Sequence, residues 1–239
     1  FLKGLEAVVA ACPDDVEAKA LLAIQCWRNQ DFGLEITSHA AVDALLDAVF
    51  AKAPNHPAHH YRVHLWDGEK AERALRSAAA IGGTAPGIAH QWHMAGHVYA
   101  KLHRHVEAAW QQEASSRTDH AAMARDRVMP FLIHNYGHNQ GWLARSLACL
   151  GRGAEALAIA KNLAELPRHP KWNKGDDGDG IAGEARGVLA QVCTDLELWE
   201  EAVRLCRDGH LEASESVRLE TERLGLLGVA LFRLGRIDE

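Results

Sequence analysis

Apolar residues recur along this chain with the period of an α-helix, and the strict alternation of apolar and polar residues that indicates β-strands is absent. The clearest segment covers residues 89–114, which the pattern predicts to be two helices joined by a short turn. One apolar stripe follows the first of these helices and spans about 100° of a helical wheel. We expect the stripe to be buried. It consists of Trp92, Ala95, Gly96 and Tyr99.

Capping residues and glycines divide the rest of the chain into further predicted helices. Asp14 and Asp15 are suited to cap the start of one helix, and Ser38 is suited to cap another. Gly82 and Gly83 are expected to close another helix. Over residues 115–128 the chain exceeds a minimal helical repeat by about two turns, which predicts a lengthened or an extra helix. The other predicted helices cover residues 1–11, 14–29, 38–52, 55–67, 69–81, 131–151, 153–166, 181–198, 200–207 and 214–234.

The segment 89–114 resembles a tetratricopeptide repeat (TPR) in the spacing of its stripe and in the small residue Ala108 of its second helix. It departs from the consensus at Ala95, where leucine is usual, and at Gln112, where an aromatic residue is common. The resemblance implies an all-α fold, an α-solenoid of antiparallel helical hairpins. We therefore expect one repeat domain over residues 1–239, with a long internal loop at 167–180.

Composition and charge exclude some classes of partner. A net charge of −6 leaves no electrostatic footprint for nucleic acid or anionic membranes, so we predict no nucleic-acid partner. No apolar run approaches the roughly 20 residues that span a bilayer, which predicts a soluble chain without a membrane span.

The five cysteines are scattered and contain no C-x-x-C motif, so neither a disulfide framework nor a thiolate zinc site is expected. Because the chain starts at Phe1 without methionine, we expect a fragment of a longer protein, and its localisation cannot be inferred.

Histidines provide the candidate chemistry. Two histidines four residues apart project side by side from a helix and can bind one cation. The second such pair follows the first by 33 residues, close to a repeat period, and the third follows the second by 41. The pairs are His60 and His64, His93 and His97, and His134 and His138.

The TPR resemblance implies that these histidines line a concave groove. His90, His93 and His97 lie roughly 140° from the middle of the apolar stripe, so we expect them to point away from the packing. The side of the first helix opposite its stripe faces the groove in TPR proteins. The resemblance therefore implies that equivalent histidines of successive hairpins share this groove.

We predict that the three pairs hold one or two divalent transition-metal ions, with His56 and His90 as additional candidate ligands. Nitrogen ligands without thiolates suit zinc, copper, nickel or iron, and the sequence does not distinguish Zn, Cu or Fe. No glutamate stands beside a pair in the metalloprotease arrangement. Asp67, Glu113 and Asp119 are candidates for further ligands, outer-shell groups or a catalytic base. Whether the chain is an enzyme stays open.

Other interpretations remain. A protein-interaction scaffold would bind a partner peptide or a small acid in the histidine-lined groove, and a structural spacer would hydrogen-bond its histidines to neighbouring helices. The loop aspartates Asp176, Asp177 and Asp179 lack the distal glutamate of a calcium-binding loop, which favours a solvated loop. The segments HHYRVHLWD, WHMAGHVYAKL, HNYGHN and LPRHPKWN resemble a histidine-rich group of bacterial TPR proteins without an assigned function.

Overall fold

A computed structural model describes residues 1–169, 171 and 180–239, and all regular elements in these ranges are helices. The all-α prediction is therefore confirmed for the described part of the chain. Most of the predicted loop at 167–180, with its three aspartates, lies outside the described residues. Among the described residues, no helix combines the length and hydrophobicity needed to cross a bilayer.

Twelve α-helices are described, and the chain divides into two compact units, Phe1–Gln111 and Gln112–Glu239. Short 3-10 turns occupy Asn29–Phe32, Ala71–Ala74 and Pro130–Leu132. The helices are α1 (Leu2–Ala11), α2 (Val16–Arg28), α3 (His39–Lys52), α4 (His59–Asp67), α5 (Leu75–Thr84), α6 (Ala89–Lys101), α7 (His105–Asp126), α8 (His134–Cys149), α9 (Gly153–Glu165), α10 (Gly180–Asp195), α11 (Trp199–Arg207) and α12 (Val217–Arg233).

Two predicted helix starts are confirmed by their caps. The Asp15 carboxylate accepts a hydrogen bond of 3.0 Å from the Ala18 amide. The Ser38 hydroxyl accepts one of 3.2 Å from the Ala41 amide. Each cap satisfies an amide that has no partner inside its own helix.

Three other predicted helix boundaries can be compared with the structure, and one of them agrees with it. The segment 115–128 does lengthen a helix, because α7 continues to Asp126. The predicted helix end at Gly82 and Gly83 is wrong, since α5 runs on to Thr84. The predicted start at residue 55 is early by about one turn. In that turn the His56 ring accepts a hydrogen bond from the Ala58 amide at 3.0 Å, and α4 begins one residue later.

The core of the first unit holds α4 in place. Helix α4 packs against α2, α3, α5 and α6. Val63 of α4 is fully buried, as are Leu46 of α3, Ile81 of α5 and Val98 of α6. This burial of apolar surface drives the packing and sets the face that α4 presents to α6.

The predicted stripe of α6 is largely confirmed. Ala95, Gly96 and Tyr99 are buried, while Trp92 is half-buried and donates a hydrogen bond from its indole to the Pro86 carbonyl at 3.0 Å. In the second unit, α8, α9 and α10 pack together, and α11 packs against α12.

Candidate metal centre

Three histidines of the first unit converge where α4 lies beside α6. His60 and His64 stand one turn apart on α4, and His90 belongs to the first turn of α6. One ring nitrogen of each lies within 4.8 Å of the others. Their ring centroids are 4.5 Å apart for His60 and His64, and 5.0 Å apart for His60 and His90. We call His60, His64 and His90 the three-histidine group.

Burial keeps two of these imidazoles neutral. His60 and His64 are half-buried, while His90 is exposed. Desolvation, together with repulsion from the neighbouring His64 and His90 rings, lowers the pKa of His60 to about 3. Desolvation and repulsion from His90 together lower the pKa of His64 to about 4. At neutral pH both rings therefore have a lone pair available for a metal ion.

One ring contact and one unpartnered nitrogen atom characterise the surroundings of the three-histidine group. The ring of Trp27 on α2 lies 4.4 Å from that of His64, centroid to centroid, and covers it from one side. The Nε2 atom of His60 is buried and has no hydrogen-bond partner among the described residues. A buried polar atom without a partner is costly, and a bound cation would supply the missing interaction.

The donor set and its dimensions fit a transition-metal ion. Zinc binds imidazole nitrogen at about 2.0–2.1 Å, which places two ligand nitrogens of a tetrahedral site about 3.3 Å apart. The nitrogens of the group lie within 4.8 Å of one another, so small side-chain rotations would bring them into coordination. Three imidazoles without thiolates suit zinc, copper, nickel or iron.

Asp67 is the predicted catalytic candidate that lies near this group. It follows His64 by three residues on α4, and its negative charge opposes the lowering of the His64 pKa. One carboxylate oxygen, Oδ2, lies 2.8 Å from the ammonium group of Lys101. The other, Oδ1, is buried and has no hydrogen-bond partner in the described part of the chain. Asp67 therefore has an oxygen available to orient a ligand histidine.

The other two catalytic candidates belong to the second unit and have structural partners. Glu113 forms an exposed ion pair with Arg117. Asp119 is buried and accepts a hydrogen bond of 2.7 Å from the side-chain amide of Asn135. Neither residue lies in the unit that carries the three-histidine group.

The second predicted pair is a close contact inside the first unit. The Nε2 atoms of His93 and His97 are 2.7 Å apart, and the rings meet edge to face. His93 is 1% exposed, so the expectation that it points away from the packing is wrong. Its ring contacts that of His97, and the ring centroid of His90 lies 5.8 Å away, so this buried polar ring has polar neighbours.

The remaining predicted ligands are the third pair and His56. His134 and His138 stack on α8 of the second unit, with ring centroids 5.8 Å apart, and line a cavity of about 210 Å³. Their role as metal ligands stays a prediction. His56 is not part of the three-histidine group, because its Nε2 atom lies 3.0 Å from a Glu17 carboxylate oxygen and its Nδ1 accepts the bond from Ala58.

The sequence contains no local signal that Trp27 lies beside His64 or that Lys101 lies beside Asp67, because these contacts form between different helices.

Comparison of the sequence with protein-family models finds no match, and comparison with curated proteins finds none either. The TPR resemblance accordingly stays a prediction.

Proposed function

We propose that the first unit binds one divalent transition-metal ion through His60, His64 and His90. The observation that carries this proposal is the buried Nε2 atom of His60. It belongs to one of three converging imidazoles and has no hydrogen-bond partner among the residues that the structure describes. The low pKa of His60 supports it, because the ring needs no deprotonation at neutral pH before it binds a metal.

Three protein nitrogens on a four-coordinate ion leave one position for water or a substrate, which is the arrangement of catalytic rather than structural zinc sites. His90 is exposed, so this position would be reached from its side of the group. A bound ion would act there as a Lewis acid and lower the pKa of a bound water.

We also propose that the hairpins are TPR-like, since α6 and α7, and likewise α8 and α9, are joined by three-residue turns.

Metal titration of the chelator-treated chain tests the proposal. We expect the parent to retain Zn²⁺ or Cu²⁺ after dialysis, measured by elemental analysis, and one equivalent of it to depend on His60 and His64. Cu²⁺ should also quench the fluorescence of Trp27 because this ring contacts His64. The His60→Gln/His64→Gln variant should lose the ion, with a fall in affinity larger than the roughly 10- to 100-fold typical of an outer-shell change.

A matched variant removes the same number of histidines from the same unit. His39→Gln/His56→Gln deletes two rings that contact Glu69 and Glu17 instead of the three-histidine group. It should bind metal as the parent does, with unchanged circular dichroism. A parent that retains no ion, or two double variants that bind equally, would contradict the proposal.

Asp67 gives a second, smaller prediction. Asp67→Asn preserves the shape of the side chain but removes the charge beside His64, so we expect the metal affinity to fall about tenfold. Lys101→Met removes the cation that neutralises Asp67, so the affinity should rise. Competition against a chromophoric chelator measures both. Shifts of the same sign in the two variants would show that Asp67 does not act through its charge.

A further inference from the structure

A second candidate site lies far along the sequence from these histidines, between α10 and α12 of the second unit. It is a cavity of about 610 Å³, within the range of roughly 300–1,000 Å³ that is typical of small-molecule sites. Apolar side chains form much of its lining, among them Leu211, Leu219 and Leu226. All three are buried, so they form a fixed wall.

The charges at this cavity are unevenly compensated. Three arginines line it, against one glutamate. Arg218 pairs with Glu222 at 2.8 Å, and Arg223 pairs with Glu220. These two guanidinium groups therefore have carboxylate partners.

Arg186 is the third arginine and differs from the others. It is half-buried, and its Nη1 atom donates a hydrogen bond of 2.8 Å to the Glu212 carbonyl oxygen. No carboxylate lies at ion-pair distance from it in the part of the chain that the structure describes. The hydrogen bond to Glu212 fixes the guanidinium at the cavity and leaves further N–H groups for a ligand.

We propose that this cavity binds a small molecule with an apolar chain and a single carboxylate, of the medium-chain fatty acid type. The apolar wall would bury the chain, because removal of apolar surface from water is favourable. The guanidinium of Arg186 would receive the carboxylate, since its planar fork matches the two carboxylate oxygens.

Decanoate, below its critical micelle concentration, is the probe for calorimetric titration of the chain. We expect saturable binding of one decanoate per chain and much weaker binding of decylammonium, which has the same tail and the opposite charge. Arg186→Gln should weaken decanoate binding about tenfold or more and leave the binding of decanol unchanged. Equal affinities for decanoate and decylammonium, or no binding of decanoate, would overturn the proposal.

Two glycines of α12 provide a matched pair that tests the location. Gly225 lines the cavity, Gly228 does not, and a Cβ atom at either position would meet nothing within 4 Å. Leucine is also a better helix former than glycine, so both variants should fold. Gly225→Leu places a side chain in the cavity and should abolish binding of decanoate and decanol, while Gly228→Leu should bind both as the parent does. Undiminished binding in Gly225→Leu would show that the ligand sits elsewhere.

Discussion

The chelator-treated protein is expected to lose roughly 3 kcal/mol of its free energy of unfolding through His60 as the pH falls from 6.5 to about 4. In the folded protein desolvation, with repulsion from His64 and His90, lowers the pKa of His60 from 6.5 to about 3. Each pH unit within that interval costs about 1.4 kcal/mol. The expected loss is a substantial part of the stability of an ordinary domain.

Acid lowers the stability because the unfolded chain binds a proton at His60 more readily than the folded chain does. Above pH 6.5 His60 is neutral in the folded and the unfolded chain, so it contributes no pH dependence. Between pH 6.5 and about 3 the unfolded chain takes up a proton that the folded chain excludes, and acid therefore favours unfolding. His64, with a pKa of about 4, acts in the same direction. The two contributions do not simply add, because part of the shift of His60 comes from repulsion by His64.

Urea unfolding at a series of pH values, in the presence of chelator, measures this effect. The His60→Gln/His64→Gln variant should lose less stability over the interval than the parent, while His103→Gln, at an exposed position, should follow the parent. His59 also has a lowered pKa, but it is unchanged in every variant and contributes equally. Parallel pH curves for the parent and the double variant would show that the two rings are not desolvated as described.

Two adjacent glycines of α5 should respond with opposite signs to the same substitution. At Gly82 a Cβ atom would collide with the ring of Trp92, whereas at Gly83 it would meet nothing within 4 Å. We expect Gly82→Ala to destabilise the protein by about 1–3 kcal/mol, the usual cost of forcing extra atoms into a packed region. Gly83→Ala should stabilise it by about 0.5–1 kcal/mol, since alanine loses less backbone entropy in a helix.

Urea midpoints of the two variants, measured beside the parent, check this pair. The comparison is sharp because the helix, the substitution and the change in helix propensity are the same. A stabilised Gly82→Ala variant would mean that Trp92 does not pack against α5 in solution. Equal destabilisation by both variants would mean that α5 ends before Thr84, as its glycines suggest when considered alone.

Sequence periodicity was sufficient for the features that depend on local geometry. Asp15 and Ser38 cap helices because a short polar side chain reaches an amide three residues later. His60 lies beside His64, and His93 beside His97, because residues four apart share a helical face. The apolar stripe of α6 was predictable for the same reason.

Only the tertiary packing determined which residues of different helices lie together and which are buried. His90 lies beside His60 and His64 because α6 packs against α4. Trp27 contacts His64 because α2 also packs against α4. Helical period determines which side of a helix a residue occupies, but not the position of the neighbouring helix that covers that side. The burial of His93 and the extension of α5 past Gly82 depend on such non-local contacts, for which a single sequence has no local signal.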